Sequence, residues 1–185
     1  SLPATIFADV RLNPERSKFL KPKTWGDKEI TIYCGQAFEP WGPDTLDKGM
    51  GGSEEAVVYL SRELANLGWQ VTVYNDREEI YVETSIVGKW QEGSSSNGNV
   101  VYKPWTLFNP QDQFNILVAW RNPSFARAVG AKAKKFVVDM HDVPVKLAKA
   151  DIEKNNLFFV KSEYHASLLE NVPKEKIVVI GNGIS

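Results

Sequence analysis

The sequence predicts an α/β fold: a three-layer, Rossmann-like domain with a mainly parallel sheet. Three observations predict it. A β-rich run, a glycine-containing loop, an amphipathic helix and a second β-rich run follow one another between Ile30 and Tyr74, which is the order of a right-handed βαβ unit. Several later β-rich runs are almost continuously apolar, as in strands buried on both faces. Helix-patterned segments separate these runs, and such alternation builds a parallel sheet covered by helices.

The elements follow in chain order. Ile30-Thr31-Ile32-Tyr33-Cys34 is a strand and Gly35 ends it. Residues 36–52 form a long loop with Pro40, Trp41, Gly42, Pro43, Gly49, Gly51 and Gly52. Residues 53–67 form a helix with Val57, Leu60, Leu64 and Leu67 as its apolar stripe. Ser53 is expected to cap it, Glu54 and Glu55 suit the positive end of its dipole, and Gly68 suits the left-handed position beyond its last turn. Residues 70–74 are the second strand. A short strand within 78–87, a Gly-Ser-Asn-rich surface loop over 91–99 and short strands at 100–102 and 114–119 come next. Residues 124–129 are helical, 135–139 a strand, 144–155 helical, 157–160 a strand, 162–169 helical and 176–180 the last strand. Six or seven strands are expected in all. Residues 1–29, with Pro14, Pro22 and a charged stretch, are expected as an N-terminal extension or linker or, equally, as an edge element packed on the main fold, and residues 30–185 as the domain.

Composition narrows the function classes. The chain has 185 residues, 43% hydrophobic and 24% charged, enough for a sizeable core. Lys plus Arg number 22 and Asp plus Glu 23, so no overall basic field recruits nucleic acid. The single cysteine, Cys34, excludes an internal disulfide and a cysteine-cluster metal site, and the two histidines, His141 and His165, have no metal-ligand spacing. No apolar run reaches the length of a membrane span, and residues 1–5 lack the pattern of a secretory signal. A cytoplasmic location, with peripheral membrane attachment open, is the corresponding expectation.

Ligands of open parallel sheets sit beyond the carboxyl ends of the strands. That rule selects the loop after Cys34, Asn75-Asp76, Trp120-Arg121-Asn122, His141-Asp142, Lys161-Ser162-Glu163 and Asn182-Gly183. The strongest local feature is Gly49-Met50-Gly51-Gly52-Ser53 before a helix, where glycines allow close backbone approach. Its spacing is neither the dinucleotide fingerprint nor a phosphate loop with Gly-Lys-Ser/Thr. Glu54 and Glu55 disfavour a phosphate placed hard on this helix and favour a hydroxyl-rich ligand. His141 follows an apolar strand and either exchanges a proton near neutrality, with Asp139 or Asp142 orienting its ring, or makes a structural hydrogen bond at the strand end. Arg121, at a strand end, can meet an acid or a phosphate, or form a surface ion pair. Trp41 could stack on a sugar ring, Trp69 packs at the helix end, and Trp105 and Trp120 are core or rim. Cys34 faces the cleft or is buried, and His165 is packed or solvated within its helix behind the cap residue Ser162.

The order of these motifs resembles the N-terminal half of a retaining glycosyltransferase of the GT-B fold, family 4. The resemblance runs through Ile30-Thr31-Ile32-Tyr33-Cys34, Gly51-Gly52-Ser53-Glu54, Leu64-Ala65-Asn66-Leu67-Gly68-Trp69 and Val71-Thr72-Val73-Tyr74. It resumes at Val138-Asp139-Met140-His141-Asp142, Phe159-Val160-Lys161-Ser162-Glu163-Tyr164 and Lys176-Ile177-Val178-Val179-Ile180-Gly181-Asn182-Gly183-Ile184. Trp69 stands where the family usually has histidine, and Gly181 where it has proline. The resemblance implies an acceptor-side domain, one half of a GT-B fold, facing a donor-binding C-terminal domain across a cleft. It implies His141 as the catalytic-cleft histidine, and Gly51, Gly52, Ser53, Glu54, Arg121 and Asp142 as donor- or acceptor-binding residues. The substrates implied are a nucleotide sugar and a glycan, lipid or small-molecule acceptor. Front-face transfer with retention needs no cofactor, and metal independence is expected. The usual C-terminal carboxylates and basic clamp lie outside the 185 residues, so this piece alone is expected to be inactive.

Three rivals are distinguishable. A non-catalytic α/β domain could bind a sugar or nucleotide. A GT-B-type sugar-nucleotide epimerase half would need acid and base carboxylates, for which Asp139, Asp142 and Glu163 are available. A dinucleotide oxidoreductase would use Asp76 as its ribose-binding acid, against the glycine spacing.

Overall fold

The computed structural model describes residues 21–83, 98–143 and 146–181. Eight strands among them form one sheet: β1 (Glu29–Tyr33), β2 (Gln70–Asn75), β3 (Tyr81–Glu83), β4 (Val100–Pro104), β5 (Gln113–Trp120), β6 (Lys132–Asp139), β7 (Leu157–Val160) and β8 (Ile177–Val179). Their order is β3-β4-β2-β1-β5-β6-β7-β8. Every neighbouring pair is parallel except the edge pair β3–β4. The sheet is therefore mixed and mainly parallel, and it holds one or two strands more than the sequence suggested. The stretch before residue 21, the remainder of the strand expected within 78–87, most of the 91–99 loop and Asn182-Gly183 lie outside the described residues.

The chain winds outward in two directions from the middle. From β1 it passes through α1 (Gly52–Asn66) to β2, and β4 lies beyond. From β5 it passes through α2 (Phe125–Val129), α3 (Lys149–Lys154) and α4 (Glu163–Ser167) to β6, β7 and β8. The switch of direction falls between β1 and β5. Neighbouring residues on one strand enter different cores: Val118 packs with α1, while Leu117 and Ala119 pack with Phe125 and Ala126 of α2. That double burial is why these strands read as continuous apolar runs. A third cluster joins Val138, Phe158 and Val160 to Ile152 of α3 and to Leu169.

The main helix differs from its sequence reading in two ways. Its N-cap is Gly51, without a side-chain cap bond, and Ser53 lies inside the first turn. Its buried face is Ala56, Val57, Val58, Ser61 and Ala65, while Leu60 and Leu64 are half-buried and Leu67 is exposed. Small residues bring the helix close to the sheet and its neighbours. A side chain on Gly98 would collide with the backbone of Ala65. The predicted left-handed turn is present: Gly68 has φ +90° and its N–H donates to Ala65 O, while Trp69 N–H donates to Leu64 O. The helix expected over 144–155 is formed only at Lys149–Lys154 within the described residues.

Residues 21–29, for which the sequence leaves a connector and a packed edge element both open, pack on the domain. Trp25 is 5% exposed and stacks on Phe114. Asp112 holds this segment, accepting from Lys23 N at 2.7 Å and Trp25 Nε1 at 2.9 Å. Thr24 pairs with Gln113 at the start of β5.

Candidate functional site

The carboxyl ends of β1, β5, β6 and β7 carry the residues that the sequence singled out. Beyond β1, Cys34 and Gly35 donate their N–H groups to Tyr74 O, and Gly35 turns the chain with φ +71°. The loop that follows is stitched to the end of β2. Ala37 N donates to Asp76 Oδ2 at 3.1 Å, Trp41 N to Asp76 O at 3.1 Å, and Asn75 Nδ2 to Trp41 O at 2.7 Å. Asp76 thus holds the loop through its backbone carbonyl and one carboxylate oxygen. A 3-10 turn (Pro43–Lys48) and Gly49, φ +80°, then lead to α1.

Between this loop and the start of α1 lies a cleft of about 440 Å³, lined by Phe38, Pro40, Thr45, Lys48, Gly51 and Glu54 among others. Trp41 lines it as well, but is only 3% exposed and packs beside Trp120 at 6.1 Å. Its ring faces are taken up by the core, so the stacking role considered for it falls away. Phe38 is the fully exposed aromatic here. A side chain on Gly51 would collide with the Glu54 carboxylate, which folds back over the turn and accepts from Ser53 Oγ at 2.9 Å. At Gly52 a side chain would enter open space.

Arg121 follows β5 in the left-handed region, φ +61°. Its N–H continues the ladder to Asp139 O. Its guanidinium lies 5.2 Å over the Trp120 ring and forms a fork with Asp142: Nε to Oδ2 at 2.8 Å and Nη2 to Oδ1 at 2.7 Å. The hydrogen bond from Arg121, with the charges of Arg121 and the two histidines, holds the Asp142 carboxyl below its ordinary range against the effect of burial. Asp142 in turn raises Arg121, burial opposes the rise, and Glu54 adds a smaller contribution. The acid that Arg121 was expected to meet is therefore its own neighbour. This pair forms one wall of a second cleft, about 360 Å³, lined also by Ser124, Met140, Lys146 and Leu147.

At the end of β6, Asp139 is 2% exposed. Its Oδ2 lies 3.0 Å from His141 Nε2 and its Oδ1 accepts from Lys161 Nζ, just past β7. Of the two acids proposed to orient His141, Asp139 does so and Asp142 turns to Arg121. Lys161 went unrecognised as part of this group. Its signal was adjacency, since the residue after β7 lies beside the end of β6. Trp120 meets the His141 ring edge-on at 6.0 Å.

His165 is buried and structural. Ser162 Oγ accepts from its N–H at 3.0 Å, as the N-cap bond of α4. Its Nδ1 accepts from Lys161 N at 3.3 Å, and its Nε2 lies 3.0 Å from Asp142 O. Cys34 is buried as well. Burial first, then the Asp139 and Glu54 carboxylates, push its thiol well above the ordinary range, so it is no nucleophile near neutrality.

The edge thus combines three carboxylates, at Glu54, Asp139 and Asp142, with Arg121, Lys161 and His141. Most charges are internally paired, and what remains suits a polar, hydroxyl-bearing ligand better than a multiply charged one. Among the described residues no group of three or more His, Cys, Asp and Glu side chains is arranged to hold a metal ion, and no helix is long and apolar enough to cross a membrane. Comparison with models of known families, with curated proteins and with solved structures finds no match to this chain.

Proposed function

We propose that the domain is the acceptor side of a retaining glycosyltransferase, which moves a sugar from a nucleotide-sugar donor to a glycan, lipid or small-molecule acceptor. One observation carries the reading. The Gly51–Glu54 turn, the Arg121–Asp142 pair and His141 gather on the carboxyl edge of one parallel sheet, around the switch point between β1 and β5, where α/β domains bind ligands. Fold alone does not specify chemistry, so the argument rests on the residues. The cleft beside the β1–α1 loop takes the acceptor. Gly52, with nothing against its Cα, lets the transferred sugar or the donor diphosphate come close to the backbone. His141 contacts the sugar. A second domain across the edge binds the donor and stabilises the leaving diphosphate electrostatically.

The test is a labelled-donor assay with a panel of nucleoside-diphosphate hexoses. It compares the 185-residue chain with the same chain extended by the sequence that follows it in its gene. The extended protein is expected to transfer sugar with the donor's anomeric configuration kept, and the 185-residue chain to turn over little or not at all. An extended protein that binds sugars without turnover supports the non-catalytic binding domain instead. Inverted product rules out the retaining mechanism.

A further inference from the structure

The Asp139 carboxylate is buried at the end of an interior strand, with β5 on one side and β7 on the other. Such a group has few options: it must be matched by charge and hydrogen bonds, or take up a proton. Lys161 Nζ donates to Oδ1 and supplies the matching charge, which leaves Oδ2 as an acceptor for the ring. The contact from Oδ2 to His141 Nε2 at 3.0 Å then has one direction, with Nε2–H donating. Trp120, packed edge-on against the ring, restricts its rotation. In that tautomer Nδ1 keeps its lone pair.

We propose that Asp139 and Lys161 are positioning residues that hold His141 as its Nε2-protonated tautomer, so that the group His141 meets at Nδ1 is a hydrogen-bond donor such as a ligand hydroxyl. The neighbouring ionisable groups are engaged elsewhere, while the Trp120 indole N–H is buried without a partner among the described residues. Asp142 is forked by Arg121, His165 bridges Lys161 N and Asp142 O, and the Cys34 thiol stays protonated. Glu54, across from Arg121, bonds within its own turn. Lys161 is thus the cation bonded to Asp139, and without it the Asp139 carboxylate loses the contact that fixes Oδ1 and so the placement of Oδ2 against the His141 ring. The identity of the ligand hydroxyl rests on the transferase reading; the state of the ring does not.

The experiment uses ¹⁵N-histidine-labelled chain and long-range proton–nitrogen correlation spectra at neutral pH, without ligand. The chain has two histidines, so one His141→Gln sample assigns both. Wild type is expected to show His141 with Nε2 protonated and Nδ1 bare. Lys161→Met is expected to mix the two His141 tautomers as Asp139 loses its fixed position, and Lys161→Arg to restore the single pattern. His165, bonded to the backbone of Lys161, is expected to keep its pattern throughout and reports that the fold is intact. Asp139→Asn is expected to mix the tautomers, and should that variant not fold, the wild-type and Lys161 spectra decide alone. A wild-type His141 protonated on Nδ1, or a Lys161→Met spectrum identical to wild type, overturns the proposal. Absence of sugar transfer would leave these spectra unaffected, and an unexpected tautomer would leave the transfer assay to stand by itself.

Discussion

At the residue scale, the candidate site was legible where chemistry and strand ends coincide. His141 lies two residues past the buried end of β6, Phe136 to Asp139, and that placement alone marks it. Roles that depend on contacts across strands were not legible. Lys161 and Asp139 are 22 residues apart, and only the β6–β7 pairing brings them together. Trp41 misled because a tryptophan in a glycine–proline loop looks exposed, yet Asn75 and Asp76 pull that loop into the core. Gly52 gives the sharpest residue-level prediction. It opens α1 without a positive φ, and a methyl group there meets nothing. Gly52→Ala should therefore stabilise the fold, by roughly 0.4–1 kcal/mol through the unfolded chain. If a sugar or diphosphate approaches this backbone, the same substitution should raise KM or lower turnover in the extended protein. Thermal melting and transfer kinetics measured on one variant separate the two effects. Greater stability with unchanged kinetics would remove the turn from the ligand site.

At the element scale, the long helix and the apolar strands were readable from periodicity, but the short elements were not bounded by it. Helices α2, α3 and α4 have five or six residues, too few to be stable on propensity. They exist through tertiary anchors that a linear pattern does not display. Asn155 Nδ2 ties the end of α3 to Pro123 O and Asp151 O, and Lys154 Nζ reaches Ala131 O. The N-terminal segment is the same case. Its proline and charge content left a linker and a packed edge element equally open, and the deciding contact is remote: Asp112 clamps Lys23 and Trp25 from 89 and 87 residues away. Asp112→Ala leaves the buried Trp25 indole N–H without its acceptor. The expected cost is about 1–3 kcal/mol, read as a fall in urea midpoint at unchanged slope, together with earlier protease cleavage before residue 29. A variant as stable as wild type would mean that residues 21–28 merely lie on the surface of the domain.

At the scale of the whole molecule, the sequence specified a covered parallel sheet because double burial leaves unbroken apolar runs. It placed a short strand within 78–87 but not the antiparallel edge pairing of β3, whose three residues carry one buried position. The buried position is Glu83, paired with Arg62 of α1, so no apolar alternation announces it. Charge is arranged unevenly in this fold, with partly enclosed carboxylates tied to single cations. Asp151 is the clearest case. Burial pushes its carboxyl up, but the hydrogen bonds from Arg127 and Ser124, with the Arg127 charge, more than offset this and hold it below its ordinary value of 3.8. Asp142 is lowered in the same way by Arg121. A carboxyl whose pKa falls on folding contributes stability that is complete above its unfolded pKa and is lost as pH drops through the folded one. Stability should therefore be flat from neutrality to about pH 5 and fall below that, in the acid range where both carboxyls take up protons. Asp151→Asn keeps the size of the side chain and removes its titration. That variant should start less stable than wild type at neutral pH and lose less between pH 5 and pH 3, so that the two urea-midpoint curves converge in acid. Parallel curves would show that the Asp151 contacts with α2 and Ser124 hold geometry without carrying any of the acid dependence.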